Sequence, residues 1–265
     1  INYGFPLILN GISWWINNSL DRIIIIGILG TAANGIYAIS YKIPSILSIF
    51  QTIFNQAWTM TAIQEMNSSD KDSIYSKMYA LYEAGMFLIC SLLILLNMFF
   101  ADLLYGEDFF AAWHYTLPLI IAALAGAMGI FLSSVFCAVG ESKTVGITTF
   151  IGAAVNLILN IIFIPRIGLL GAAIATVISN IVIWIIRLWR SITYVKIKSK
   201  PYRELVCFFL ICIQGVLAYQ ELHFYYWQIL IFIVLILLFK DEIFFYLEMF
   251  SKILVSKRKK RKEVN

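Results

Sequence analysis

The chain has 265 residues, of which 61% are hydrophobic and only 13% charged. An ordinary soluble domain is about 45–50% apolar and about 25% charged, so the composition excludes a soluble globular fold and points to lipid as the solvent. The net charge of +5 is concentrated in short connections and at one end, a pattern that suits a membrane surface and gives no reason to expect nucleic acid.

A membrane-spanning helix needs about 20 mainly apolar residues. Stretches that qualify run over 5–29, 35–62, 77–100, 111–139, 145–164, 169–189, 204–220 and 225–240. The last is the shortest and is expected to tilt or to re-enter. All must be helices, because an open strand leaves its backbone unsatisfied in hydrocarbon. The expected fold class is therefore all-α, a polytopic membrane helical bundle of about eight spans. The chain opens at Ile1 inside a span, with no basic leader and no small-residue cleavage site, which reads as a piece of a longer protein rather than as a signal peptide.

Orientation follows from the cations, which accumulate on the cytoplasmic side of membrane proteins. With both ends inside, all but three of the twenty Lys and Arg residues fall in inside connections or the tail. The exceptions are Arg166, outside, and Arg22 and Lys42, within spans. The outside connections carry Asp102, Glu107, Asp108 and Glu221 instead. Beyond Lys240, residues 243–256 put Phe244, Leu247, Phe250 and Leu254 on one face of an interfacial helix. The run KRKKRK at 257–262 reads first as a topology signal, and its place at the headgroups makes anionic membrane lipid a partner.

Charges inside spans are costly and mark functional sites by default. The sequence offers Asp21 and Arg22 in the first span, Lys42 in the second and Glu83 in the third. Measured from the turn at Gly30 and from Gly35, Arg22 and Lys42 come to one level, with Asp21 placed to neutralise either. Asn17, Asn18 and Asp21 cluster on one helix face, and Lys42, Ser45, Thr52 and Gln56 on another. Pro44 should kink the second span and free backbone groups towards a cavity. The expected substrate-binding cavity thus carries Arg22, Lys42, Asp21, Asn17, Asn18 and Gln56. Snorkelling of Arg22 and Lys42 to the outer interface is the competing reading. For Glu83, a proton-relay role competes with partial interfacial exposure.

Other polar positions read as structural. Asn156 and Asn160 share a face and are expected to bond across helices. Gly168, Gly171, Ala172 and Ala175 form a small-residue face for close packing. Cys90, Cys137, Cys207 and Cys212 lie in apolar runs without metal-ligand or redox spacing and read as small core residues. No nucleotide-binding loop, HExxH or GxSxG motif is present. No cofactor, metal or enzymatic chemistry is expected.

Several stretches carry a resemblance. NGISWWINNSLDRIIIIGILGTAANGIYAISYKIP (10–44), LLYGEDFFAAWHYTLPLI (103–120), VGESKT (139–144) and NLILNIIFIPRIGLLGAAIATVIS (156–179) follow one another as in bacterial polysaccharide repeat-unit flippases. The chain resembles the C-terminal portion of these Wzx-type O-antigen and capsule transporters, over roughly residues 3–190. Their superfamily also holds multidrug exporters of the MATE type and lipid II flippases. The resemblance implies a six-helix C-terminal transporter lobe at 1–190, two additional transmembrane helices at 191–240, and an interfacial helix with a basic cytoplasmic tail at 241–265.

It implies translocation of an undecaprenyl-diphosphate-linked oligosaccharide across the bacterial cytoplasmic membrane, alongside polysaccharide polymerase and export machinery. An anionic diphosphate would need cavity cations such as Arg22 and Lys42, and the superfamily implies coupling to a proton or sodium gradient, for which Asp21 and Glu83 are the candidates. The alternatives are a MATE-type exporter of cationic drugs, a membrane glycosyltransferase or polymerase, and a non-transporting subunit of envelope assembly.

Overall fold

The computed structural model describes residues 20–198, 200–220 and 224–248. These residues are mostly helical, with no strand among them. In chain order they form α1 (20–29), α2 (Thr31–Ser40), α3 (Lys42–Glu65), α4 (Lys71–Leu95) and α5 (Asn97–Leu104). A 3-10 turn (Glu107–Ala112) leads into α6 (Trp113–Ala138), α7 (Ser142–Ile167), α8 (Leu169–Ser191), α9 (Pro201–Tyr219), α10 (Tyr225–Leu238) and a last helix, α11 (240–248).

Five of these are long and apolar enough to cross a membrane: α4, the 3-10 turn with α6, α7, α8 and α9. The protein is a multi-pass membrane protein. The other expected spans differ in instructive ways. The first lies partly outside the described residues. The second breaks at Tyr41 into α2 and α3. The last is a helix of 14 residues, too short to span upright at about 1.5 Å per residue.

The α2–α3 break shows how Pro44 acts. Proline has no N–H to give to the carbonyl four residues earlier, which is that of Ser40. That carbonyl receives the Thr116 hydroxyl of α6 instead, at 3.2 Å. Ser40 Oγ donates in turn to the Ala112 carbonyl at 3.1 Å, and Tyr105 OH meets Thr116 Oγ1 at 2.7 Å. The freed backbone is thus satisfied by the neighbouring helix, not turned towards a cavity as expected.

Helix α6 is the central element, packed by α3, α4, α8 and α9. Its Phe131 is the hub of an aromatic knot. Trp58 stacks on it with ring centroids 5.5 Å apart, and Tyr82 and Tyr79 approach at 5.2 and 5.4 Å. The polar rims of these rings are satisfied: Trp58 donates to Ser134 Oγ at 2.8 Å and Tyr82 to the Ala127 carbonyl at 3.1 Å.

Helices α7 and α8 pack along the expected small-residue face. Gly168 makes the turn at φ 62° and ψ −141°, which a side chain would resist. A Cβ at Gly171 would lie 2.6 Å from the Phe163 backbone carbon.

Helices α9, α10 and α11 are fastened to the rest of the bundle chiefly through α4. Gln214 of α9 accepts from Ser91 Oγ at 2.6 Å and donates to the Ser91 carbonyl at 3.1 Å. Arg203 of α9 bridges Glu83 of α4 at 2.8 Å and Glu242 of α11 at 2.6 Å. It also lies 4.7 Å from the centre of the Phe239 ring. Glu83 is therefore buried (1% exposed) and not held at an interface. The cysteines are free thiols, and Cys137 is exposed rather than in the core. Of the expected interfacial helix, α11 reaches residue 248 with Phe244 and Leu247 exposed. Phe250, Leu254 and the basic run lie outside the described residues.

Candidate functional site

The turn at Gly30 (φ 88°, ψ 175°) folds α1 back on α2, and the two do meet at one level. What meets there is Asp21 and Tyr37, not Arg22 and Lys42. Asp21 is 2% exposed. Its carboxylate accepts from Asn160 Nδ2 of α7 at 2.5 Å, from Thr176 Oγ1 of α8 at 3.1 Å and from Tyr37 OH at 3.4 Å. Asn160 also donates to Asn156 Oδ1 at 2.9 Å, within α7, so of the Asn pair it is Asn160 that bonds across helices, to Asp21. Four helices converge on one carboxylate. A buried charge needs such donors, because each hydrogen bond to it replaces lost hydration.

Beside this cluster lies a cavity of about 210 Å³. Tyr41, Ser45, Ser48 and Gln51 line one wall, and the α6 residues Ala122, Ala123 and Gly126 form the floor. The opposite wall is a stripe of α8: Thr176, Asn180, Ile183 and Arg187. Their spacing of three and four residues is that of one helix face. Two wall residues reach Asp21. Thr176 touches it directly, and Tyr41 OH lies 3.3 Å from Tyr37 OH.

Arg187 closes the other end of the stripe and is 4% exposed. Its Nε donates to Thr148 Oγ1 at 2.9 Å. Nη1 donates to Ser133 Oγ at 2.8 Å and the Gly129 carbonyl at 3.1 Å. Nη2 donates to Thr149 Oγ1 at 2.9 Å and the Val145 carbonyl at 3.3 Å. Every acceptor is neutral. The ion pairs between described residues that reach a carboxylate are made by Arg203, and among the described residues no carboxylate lies at ion-pair distance from Arg187.

The residues expected in the cavity are distributed differently. Asp21 lies behind the wall, bound to neutral donors and paired with neither Arg22 nor Lys42. Arg22 is exposed. Lys42 is also exposed, and its Nζ donates to the Leu104 carbonyl at 3.2 Å. Helix α2 starts at Thr31 and not near Gly35, so Lys42 sits about 6 Å further from the turn than expected. Gln56 is exposed, further along α3 than the cavity. Asn17 and Asn18 lie outside the described residues. The cavity face of α3 runs through Ser45, Ser48 and Gln51, so Ser45 alone was anticipated there.

Thr176, Asn180 and Arg187 were missed. By sequence position Arg187 counts, like Arg190, among the cations of the inside connections. The available signal was the trio Ser133, Thr148 and Thr149, hydroxyls in otherwise apolar runs that its guanidinium needs.

No family model matches the chain. Among solved structures, the MATE transporter VcmN of Vibrio cholerae in its bent form matches with a TM-score of 0.65 and 24% identity. The match covers 82% of this chain and 52% of that one. The lipid II flippase MurJ in an inward closed conformation matches at 0.61 and 17% identity, over 90% and 53%. A MOP-superfamily transporter of Pyrococcus furiosus, described as having a binding pocket of reverse polarity, matches at 0.54 and 18%, over 82% and 50%. The chain has the fold of these transporters. It spans about half their length. A short segment of 40 residues is 50% identical to an uncharacterized membrane protein of Methanocaldococcus jannaschii, covering 15% of this chain and 8% of that protein.

Proposed function

We propose that this chain forms one lobe of a flippase that carries undecaprenyl-diphosphate-linked oligosaccharide repeat units across the bacterial cytoplasmic membrane for O-antigen, capsule or exopolysaccharide synthesis. The observation that carries this reading is the cavity wall. Ser45, Ser48, Gln51 and Asn180 place neutral hydrogen-bonding groups around one cavity. Such groups suit sugar hydroxyls, and they sit on a fold shared with a lipid II flippase and with MATE transporters.

The solved structures are about twice as long, so a second lobe would complete the cavity and alternating access would rock one lobe against the other. Arg22, Lys42 and Gln56, exposed on α1 and α3, would face that lobe. Asp21, reached from the cavity through Thr176 and the Tyr37–Tyr41 pair, is the group we assign to ion coupling. The cation distribution in the connections supports a cytoplasmic C-terminus. No step of this reading requires the chain to act as an enzyme.

Complementation tests it. The full-length protein is expressed in a bacterium lacking its repeat-unit flippase, and surface polysaccharide and accumulated lipid-linked units are measured. Restored polymer with cleared intermediates is the expected result. Drug resistance restored in an extruder-deficient strain, without polymer, would replace this reading with that of a MATE-type exporter.

A further inference from the structure

Glu204 of α9 is a carboxylate that the bundle buries without neutralising. It is 5% exposed. The adjacent Arg203 gives its two terminal nitrogens to Glu83 and Glu242, and among the described residues no cation lies at ion-pair distance from Glu204. The Tyr79 hydroxyl of α4 is offered to the carboxylate and itself accepts from Trp184 Nε1 at 3.3 Å. Glu204 Oε1 still has no hydrogen-bond partner among the described residues. A charged acceptor stranded in this way is expensive. A ligand that brings a donor would remove the penalty.

There is room for one. Glu204 lines a cavity of about 230 Å³ between α8 and α9, and its other lining side chains are apolar. The remaining orphaned atoms of the charge cluster, Glu83 Oε1, Arg203 Nε and Glu242 Oε2, belong to residues that do not line it. Trp184 and Phe208 do, with ring centroids 6.1 Å apart, and the face of such a ring attracts a cation. Ile185 and Leu205 form the lip and are 58% and 71% exposed. Both α8 and α9 are long and apolar enough to cross a membrane, so the lip opens to lipid.

Depth narrows the ligand. Glu204 stands three residues inside the start of α9 at Pro201, about 4.5 Å along the axis. Arg190 near the end of α8 and Lys196, Lys198 and Lys200 in the connection are all exposed. Cations so placed hold this end at the headgroups. The cavity therefore offers a carboxylate and aromatic faces at the depth where lipids carry their charges, with an apolar lip below and cations above.

We propose that this cavity binds the headgroup of an aminophospholipid from the surrounding bilayer. The primary ammonium donates to Glu204 Oε1 and rests on Trp184, the phosphate meets the exposed cations, and the chain runs along Ile185 and Leu205. The volume is below the roughly 300 Å³ of a site for a whole drug-sized ligand, which suits a headgroup. The site uses a different face of α8 from Thr176, Asn180 and Arg187. It goes beyond the flippase reading and does not rest on it.

The test is native mass spectrometry of the purified full-length protein in detergent. The probe is an equimolar mixture of phosphatidylethanolamine, phosphatidylcholine and phosphatidylglycerol with identical chains. The first two share phosphate and net charge, but the quaternary amine of choline has no N–H to donate. Phosphatidylethanolamine should be retained about tenfold over phosphatidylcholine, the effect of one hydrogen bond to a charged group. Glu204→Gln keeps the shape, removes the charge and should abolish that preference. Asp102→Asn, which removes an exposed carboxylate of α5, should leave it intact.

Equal retention of the ethanolamine and choline lipids by the unaltered protein overturns the inference and requires no variant to fold. Preference for phosphatidylglycerol overturns it as well, because the surface cations would then select the lipid without the carboxylate. So does an undiminished preference in folded Glu204→Gln, or an equal loss in Asp102→Asn.

Discussion

Asn160 of α7 holds Asp21 of α1 across 139 positions of sequence, with Nδ2 2.5 Å from the carboxylate. The contact fastens the first hairpin to the α7–α8 pair. Asn160 is 0% exposed, so neither partner has water as an alternative. Replacing Asn160 with Leu removes one of three donors from a buried charge. The cost expected is about 1.5–3 kcal/mol, read as a lowered midpoint of thermal unfolding in detergent. An unchanged midpoint would mean that the carboxylate does not depend on this bond.

Asp21→Asn separates stability from coupling. It preserves shape but removes the charge that Tyr37, Asn160 and Thr176 serve. If Asp21 couples transport to an ion, the variant reaches the membrane at normal levels yet fails to restore surface polysaccharide in the complementation assay. Full restoration would exclude Asp21 from coupling.

Arg203 joins three helices through Glu83 and Glu242. Removing it strands carboxylates in a buried setting, and Glu83 is 1% exposed. Breaking a buried pair from one side costs about 3–5 kcal/mol. The Arg203 side chain retains 11% exposure, so the lower end applies. Arg203→Met should destabilise by that amount, and Glu83→Gln with Glu242→Gln in the same chain should recover most of it. A triple variant no more stable than Arg203→Met would show that the clamp is not electrostatic.

Close packing of α7 on α8 is tested at Gly171. Its Cβ would meet the Phe163 backbone, which cannot rotate away. Gly171→Ala should cost about 1–3 kcal/mol as overpacking. Gly106→Ala, where nothing lies within reach of the added Cβ, should be close to neutral. Equal effects of the two would dissociate the cost from this contact.

The Ser40 carbonyl offers a double-mutant cycle. Thr116→Val should cost about 1–3 kcal/mol by leaving that carbonyl unsatisfied. In a Pro44→Ala background the restored N–H at position 44 can take the carbonyl back, so the same substitution should cost less. Additive effects would mean that Pro44 and Thr116 do not share this acceptor.

Much of the architecture was legible residue by residue. Gly30 and Gly168 mark turns because the chain there needs backbone angles that a Cβ opposes, φ 88° and 62°. Gly171, Ala172 and Ala175 mark the α7–α8 contact because small side chains on one face admit another backbone. Asn160 announces the cross-helix bond it makes to Asp21, since amides in hydrocarbon must find partners. These are local consequences of chain geometry and solvent, and they hold whichever helix stands opposite.

Which helix stands opposite was decided by tertiary structure alone. Counting along two spans placed Arg22 beside Lys42, yet Asp21 meets Tyr37, because the hairpin begins at Thr31 and packs against α7 and α8. Arg187 looked like one of many cytoplasmic cations, and its burial depends on hydroxyls from two other helices arriving at the same depth. The sequence by itself determined that this protein lives in lipid as a bundle of helices, because the hydrophobic effect and backbone satisfaction act on every residue independently. Only the packed bundle decided which charges are buried and what they face, because that depends on helix rotations and depths set jointly by side chains far apart in the chain.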